Sequence, residues 1–179
     1  MDQIVRKVKI IGTGSYVPET IYTNEYLESI IDTNADWIFN TLGIKERRIA
    51  DNNESTSDLA WKAGKEAIKD AKLTVGDIDL IIVATATPDR LAPSTACFVQ
   101  DKLKAYNAVA FDLAAVCSGF LFSMSVASQY IANGVYHNVL VIGADTFSKI
   151  TDWSRRDAVF FGDGAGAAVI SHANVNEGF

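Results

Sequence analysis

Cys117 lies between two stretches of different periodicity. Upstream, residues 108–116 read AVAFDLAAV, apolar and rich enough in strand formers for a buried strand. Downstream, Phe120, Met124, Ala127 and Ile131 recur at i, i+4, i+7 and i+11, the pattern of a helix of about four turns with Gly134 as its stop. A thiol at such a junction faces unsatisfied backbone N–H groups and the positive end of the helix dipole. Both favour thiolate over thiol. Ser118 and Gly119 are small, so a substrate carbonyl has room to approach the backbone. The competing reading is that a lone cysteine among apolar residues is a small core residue. Composition favours that reading, and the strand-to-helix position brings the two level.

Other candidate motifs are weaker. Gly12-Thr-Gly14-Ser-Tyr-Val17 lacks the third glycine of a dinucleotide fingerprint and runs into Pro18. Gly162-Asp-Gly164-Ala-Gly166 leads into the strand-like AAVI, where the fingerprint needs a helix. Both read as tight turns with positive φ, the second held by Asp163 through side-chain-to-backbone bonds. His137 and His172 have no ligand at metal spacing and read as surface residues at strand ends; no metal site is expected. Cys97 lies on a predicted helix face and reads as core. Lys45, Arg47, Arg48, Arg155 and Arg156 could serve an anionic ligand, but solvated surface charge is the default reading.

The elements that would position these residues follow from the apolar pattern. Residues 7–13 form a first strand. Residues 24–31 form a short helix capped by Thr23. A second short helix opens on the capping-box form Thr33-Asn-Ala-Asp36, carries Trp37, Ile38 and Leu42, and closes at Gly43. A long helix spans 55–71 with a small-residue face of Ala60, Ala63, Ala67 and Ala71, suited to close packing. Residues 77–87 are a near-continuous apolar run, as in a strand covered on both faces. A helix over 94–103, the 108–116 strand and its helix, a strand over 138–144, and a glycine-rich turn feeding a last strand by residue 170 complete the order. Strands alternating with helices imply parallel pairing and an α/β layered domain.

The chain has 179 residues, enough for one ordinary domain with a real core. Apolar content of 49% with 21% charged residues is globular. A net charge of −6 with no basic arm argues against nucleic-acid binding. The apolar runs are too short to span a bilayer, and the N-terminus carries no segment of signal-peptide type. Two cysteines make a disulfide framework improbable and fit a reducing cytoplasm.

Seven stretches, IIGTGSYVPE, TNEYLESIIDTNADWI, GIKERRIA, DLIIVATATPD, PSTACFVQ, AFDLAAVCSGF and FGDGAGAAVI, together resemble the N-terminal half of the β-ketoacyl-acyl-carrier-protein synthase III family, condensing enzymes of the thiolase superfamily. The resemblance implies a thiolase-like half: a mixed, mostly parallel sheet with helices on both faces, spanning residues 1–170, with 171–179 a linker toward an absent second half. It implies that Cys117 is the acyl-accepting nucleophile and that its own N–H belongs to an oxyanion hole. Trp37 matches the tryptophan that stacks on the adenine of coenzyme A, with Thr33 beside it. Arg155 or Arg156 matches the arginine on the adenine's other face, and spacing leaves the choice open.

The implied reaction begins fatty acid synthesis. An acyl group passes from acyl-coenzyme A to Cys117; malonyl-acyl carrier protein then loses CO2 and attacks the thioester. Coenzyme A enters as a substrate thioester, and no resident cofactor is implied. The implied partners are acyl-coenzyme A, malonyl-acyl carrier protein and a second copy of the chain, paired through the strand before Cys117. The family's catalytic histidine and asparagine belong to its second half, and neither His137, His172 nor Asn174 matches them, so this chain alone is expected to be inactive in condensation. Thr41 stands where many relatives carry an arginine, and Ala92 where some carry a phenylalanine. Three rivals remain: a sibling condensing enzyme for polyketide or quinolone-type products, a non-catalytic acyl- or coenzyme A-binding half-subunit, and a nucleotide-cofactor oxidoreductase, which the glycine patterns disfavour.

Overall fold

The computed structural model describes residues 7–174 and 177–179. The ends of the expected domain and linker at residues 1–6 and 175–176 lie outside the described residues. The elements are β1 (Val8–Tyr16), β2 (Thr20–Thr23), α1 (Asn24–Glu28), α2 (Ala35–Leu42), β3 (Glu46–Ile49), α3 (Thr56–Asp70), β4 (Leu80–Ala84), α4 (Thr95–Leu103), β5 (Val109–Leu113), α5 (Gly119–Ala132), β6 (Asn138–Thr146) and β7 (Asp163–His172). Short 3-10 turns occupy Val75–Asp77, Val116–Ser118, Phe147–Lys149 and Arg156–Phe160.

Five strands form one mixed sheet in the order β1-β7-β6-β4-β5. β4 pairs parallel with both β5 and β6, while β7 runs antiparallel to β6 and to β1. β2 and β3 form a separate antiparallel pair. Alternate residues of β4 divide the core. Ile81 and Val83 face one side, with Leu140, Ile142, α3 and α4. Leu80 and Ile82 face the other, with Val139, Val141, Ala127 and Ile131 of α5. A strand buried on both faces can be apolar throughout, as β4 is. A third apolar cluster (Leu27, Ile31, Ile38, Ala158 and Val159) joins α1 and α2 to the 3-10 turn at Arg156–Phe160.

The glycines of β1 have a different role from the one expected. They do not turn the chain: neither has positive φ, and β1 runs through them to Tyr16. They bring α3 against the strand. A Cβ on Gly12 would lie 2.5 Å from the Ala67 carbonyl oxygen. One on Gly14 would collide with Ala63 and Ala67 backbone. The facing Ala60, Ala63 and Ala67 are fully buried, so the small-residue face of α3 does pack closely, on strand glycines. Gly164 and Gly166 likewise lie inside β7 without positive φ, and β7 runs on to His172.

Capping at α2 also departs from expectation. Asn34, not Thr33, is the cap: its Oδ1 accepts the Trp37 N–H at 2.9 Å. Gly43 closes the helix in the left-handed conformation, φ 72°. The predicted capping of α1 by Thr23 is present, and α3 opens on a capping box of Ser55 with Asp58. No helix among the described residues is long and apolar enough to cross a membrane.

Candidate active site

β5 ends at Leu113, short of the predicted residue 116, because the chain must already be turning. Val116–Ser118 is a 3-10 turn that leads directly into α5. Val116 adopts φ 46°, a region that β-branched residues rarely enter. Cys117 follows, exposed at the surface rather than buried as a core thiol. The Ser118 N–H is spent on the Ala115 carbonyl at 3.1 Å and the Gly119 N–H on that of Val116. Gly119 brings the turn onto the end of β4: a Cβ there would lie 3.1 Å from the Ala84 Cβ.

Strand register sets which groups share this end of the sheet. Leu113, Ala84, Gly143, Gly166 and Ser15 form one row across β5, β4, β6, β7 and β1. Gly143 leaves space that the Phe120 ring of α5 fills, 3.4 Å from where a Cβ would sit. Beyond the row, a groove of about 400 Å³ is lined by Gly143, Asp145, Phe147, Gly162, Gly164 and Gly166, among others. A neighbouring cleft of about 280 Å³ includes Phe147, Ile150 and Phe161. The Phe147 and Phe161 rings stack at 5.2 Å between centroids.

Three carboxylates, Asp163 buried and Asp145 and Asp112 half-buried, hold the loops around this end. Asp145 Oδ1 accepts from the Thr85 hydroxyl (3.0 Å), the Ala86 N–H (2.8 Å), and both the N–H (3.2 Å) and hydroxyl (2.9 Å) of Thr87. Asp112 on β5 accepts the Thr95 and Ala96 N–H groups at 2.7 Å each, capping α4. Asp163 accepts from the Ala50 N–H and from both the N–H and hydroxyl of Ser148, tying β3, the Phe147–Lys149 turn and β7 together.

A second cluster lies on α2 and the Arg156–Phe160 turn. The Arg156 guanidinium sits 4.4 Å from the centroid of the half-buried Trp37 ring. Arg155 points elsewhere, donating from Nε and a terminal nitrogen to the two oxygens of Asp157 at 3.1 and 3.0 Å. That pairing raises the Arg155 value and lowers that of Asp157. Of the two adjacent arginines, Arg156 is the one that faces Trp37. The Thr33 hydroxyl is buried without a hydrogen-bond partner. Thr41 on α2 and Ala92 are exposed.

Two expectations change. Arg47 is not a solvated charge: it is 4% exposed, with Nε donating to the Val159 carbonyl at 2.8 Å and a second nitrogen to Asn24 Oδ1. Burial pushes its guanidinium value down. Cys97 is half-buried rather than fully in the core, and its sulfur accepts the Ser94 hydroxyl at 3.2 Å. The Asp145, Asp112 and Arg47 anchors were missed. For Arg47 the signal was alternation, since it shares the inward face of β3 with Ile49. His137 and His172 do lie at strand ends, exposed, but at the far end of the sheet. The register places Asn138 opposite Ser171, about 17 Å of strand from the Gly143–Gly166 row.

Comparison with known proteins agrees with this architecture. The family model for 3-oxoacyl-[acyl-carrier-protein (ACP)] synthase III matches residues 111–179. The β-ketoacyl-[acyl-carrier-protein] synthase III of Caldanaerobacter subterraneus subsp. tengcongensis is 55% identical over 170 residues, 94% of this chain and 51% of that protein. The Clostridioides difficile protein of the same name is 56% identical over 173 residues, covering 96% and 52%. Among solved structures, 3-oxoacyl-[acyl-carrier-protein] synthase III from Aquifex aeolicus superposes with TM-score 0.91 at 49% identity, over 93% of this chain and 54% of that one. The priming β-ketosynthase of the R1128 polyketide pathway superposes with TM-score 0.92 at 33% identity, over 98% and 53%. The chain spans about half the length of the curated relatives it matches. Over the half that it spans, the chain matches β-ketoacyl-[acyl-carrier-protein] synthase III in sequence and in fold.

Proposed function

We propose that this chain supplies the acyl-accepting half of a condensing enzyme that starts fatty acid synthesis, with Cys117 as its nucleophile. The observation that carries the reading is the exposed thiol on a tight turn between a sheet strand and α5. The Cys117 thiolate attacks the carbonyl of an acyl-coenzyme A thioester. Because Ser118 and Gly119 use their N–H groups within the turn, the Cys117 N–H is the donor at this turn for the developing oxyanion. Collapse of the tetrahedral intermediate expels the coenzyme A thiolate, which takes up a proton, and leaves Cys117 as a thioester. In the second stage malonyl-acyl carrier protein loses CO2. The resulting carbanion attacks the Cys117 thioester, forms the new carbon–carbon bond and releases the Cys117 thiolate.

Trp37 and Arg156 are proposed as the two sides of the coenzyme A adenine site, with Thr33 beside them. An adenine between an indole and a guanidinium gains stacking on one face and a cation–π contact on the other. Their present separation, 4.4 Å, would have to open to admit a ring. The glycine-lined groove beside Phe147 offers backbone rather than side chains, room for an extended acyl or pantetheine arm. Coenzyme A is here a substrate carrier and not a resident cofactor. Decarboxylation needs donors to polarise the malonyl thioester, and neither histidine of this chain is at the Cys117 end of the sheet. The reading includes pairing of two copies through the β5 edge, which among the described residues has a partner strand on one side only, and action in the cytoplasm.

The test is acylation of the purified chain by acetyl-coenzyme A, read by intact mass and by release of free thiol. One acyl group should appear on Cys117, and Cys117→Ala should carry none. Acyl transfer to Cys117→Ala at the wild-type rate would overturn the assignment. A sibling specificity would appear as preference for longer or branched acyl-coenzyme A.

A further inference from the structure

Arg47 has no role in the chemistry above, yet it is buried with no carboxylate within ion-pair distance among the described residues. One of its terminal nitrogens has no hydrogen-bond partner. A buried cation without a counter-charge is costly, so the bonds it does make matter. They join elements distant in sequence. Nε donates to the carbonyl of Val159, in the turn that begins with Arg156. A terminal nitrogen donates to Asn24 Oδ1 at the start of α1. Asn24 in turn donates to the Ile44 carbonyl at 2.9 Å, just after α2, the helix that carries Trp37. Gly162 leaves room for this strut, since a Cβ there would lie 3.2 Å from the Arg47 Cβ.

Apolar packing of Ile38, Ala158 and Val159 brings α2 and the turn together. It is non-directional and does not fix the angle at which they meet. Hydrogen bonds from one planar guanidinium to both sides do fix it. We infer that Arg47 is a positioning residue: through Asn24 and Val159 it holds Trp37 and Arg156 face to face. Its link to coenzyme A rests on the adenine site proposed above; its effect on the pair does not.

The experiment therefore has two arms. In the first, the full chain is studied by NMR, following the contact between the Trp37 indole and the Arg156 δ-methylene. Wild type shows that contact. Arg47→Met loses it while still unfolding cooperatively in urea. A folded Arg47→Met that keeps the contact overturns the inference. If Arg47→Met does not fold, Asn24→Ala, which removes one partner of the strut, carries the same comparison, and a full-strength contact there overturns it equally. In the second arm coenzyme A is titrated into wild type, Arg47→Met, Arg156→Ala and the double variant. Arg47→Met should weaken binding about tenfold in the wild-type background and less than about twofold when Arg156 is already alanine. Equal losses in both backgrounds would mean that Arg47 acts elsewhere, and would overturn the inference. Wild type that fails to bind coenzyme A refutes the adenine-site reading and leaves the first arm decisive.

Discussion

Gly12 of β1 and Ala67 of α3 meet backbone to backbone: a methyl on Gly12 would lie 2.5 Å from the Ala67 carbonyl oxygen. Gly14 repeats the contact one pleat further on, against Ala63. No flexible side chain is present to yield, so the helix itself would have to lift. Gly12→Ala and Gly14→Ala are each expected to cost about 3 kcal/mol or more, at the upper end of overpacking effects. Urea unfolding of the two variants checks this, and a cost below about 1 kcal/mol for both would be inconsistent with the contact.

Val116 carries backbone strain immediately before the thiol. A β-branched residue at φ 46° costs roughly 1–2 kcal/mol, and with 60% of its surface exposed it returns little by burial. Val116→Gly should therefore unfold at the same or higher urea concentration than wild type. Val116→Pro, whose φ is locked near −65°, should be destabilised and should lose acylation of Cys117. Equal stability of the glycine and proline variants would contradict the observed turn.

The two thiols should separate by reactivity. Cys117 is exposed, whereas the Cys97 sulfur is half-buried and accepts the Ser94 hydroxyl. Limiting iodoacetamide followed by peptide mass analysis should modify Cys117 roughly tenfold faster than Cys97. Cys117→Ala should remove the fast phase.

Stability should fall toward both acid and alkali, for identifiable reasons. Burial pushes the Glu54 carboxyl up, but hydrogen bonds from Lys62 (2.6 Å) and Tyr16 (2.7 Å) outweigh it and hold it below its ordinary value. Asp58 is held low in the same way, against burial, by Lys102 and Ser55. Burial pushes Lys62 down, and its bonds to Glu54 and Tyr16 reverse this and raise it. The lowered carboxylates contribute stability that is present above their unfolded values, about 4, and is lost as pH falls through the still lower folded ones. Lys62 contributes stability present below its ordinary 10.5 and lost as pH rises through the raised folded value. The urea midpoint should be insensitive to these groups between about pH 5 and 9 and decline on either side. Glu54→Gln should lower the unfolding free energy by about 1 kcal/mol at neutral pH and flatten part of the acid limb.

Asp145 Oδ1 is an acceptor shared by three consecutive residues of the loop after β4. Asp145→Ala would leave the hydroxyls of Thr85 and Thr87 and two backbone N–H groups without it, at a cost of about 2–3 kcal/mol. Asp145→Asn keeps an oxygen there and should cost about 1 kcal/mol. Thermal or urea unfolding distinguishes the two.

The sequence carried the thiol's position more clearly than its surroundings. The switch from an apolar strand to a helical repeat located Cys117 at a turn, because periodicity is local. It overran the strand, since Ala114, Ala115 and Val116 are as apolar as β5 itself and nothing local marks where pairing stops. The glycines of β1 and β7 read as turns because a sequence shows the missing Cβ and not the reason for it. The partner surface, the alanines of α3, was visible but could not be matched to them. Arg155 and Arg156 are adjacent in sequence and face different partners, so only packing could choose between them. Arg47 was hidden by its charged neighbours, although its alternation with Ile49 placed it inward.

The register that puts Leu113, Ala84 and Gly143 in one row also gives the molecule a front and a back. His137 and the last residue of β7 sit at the back, exposed and distant from the thiol. A dye or surface tether attached there would leave the nucleophile facing solution, so the chain could be immobilised by one end and interrogated at the other.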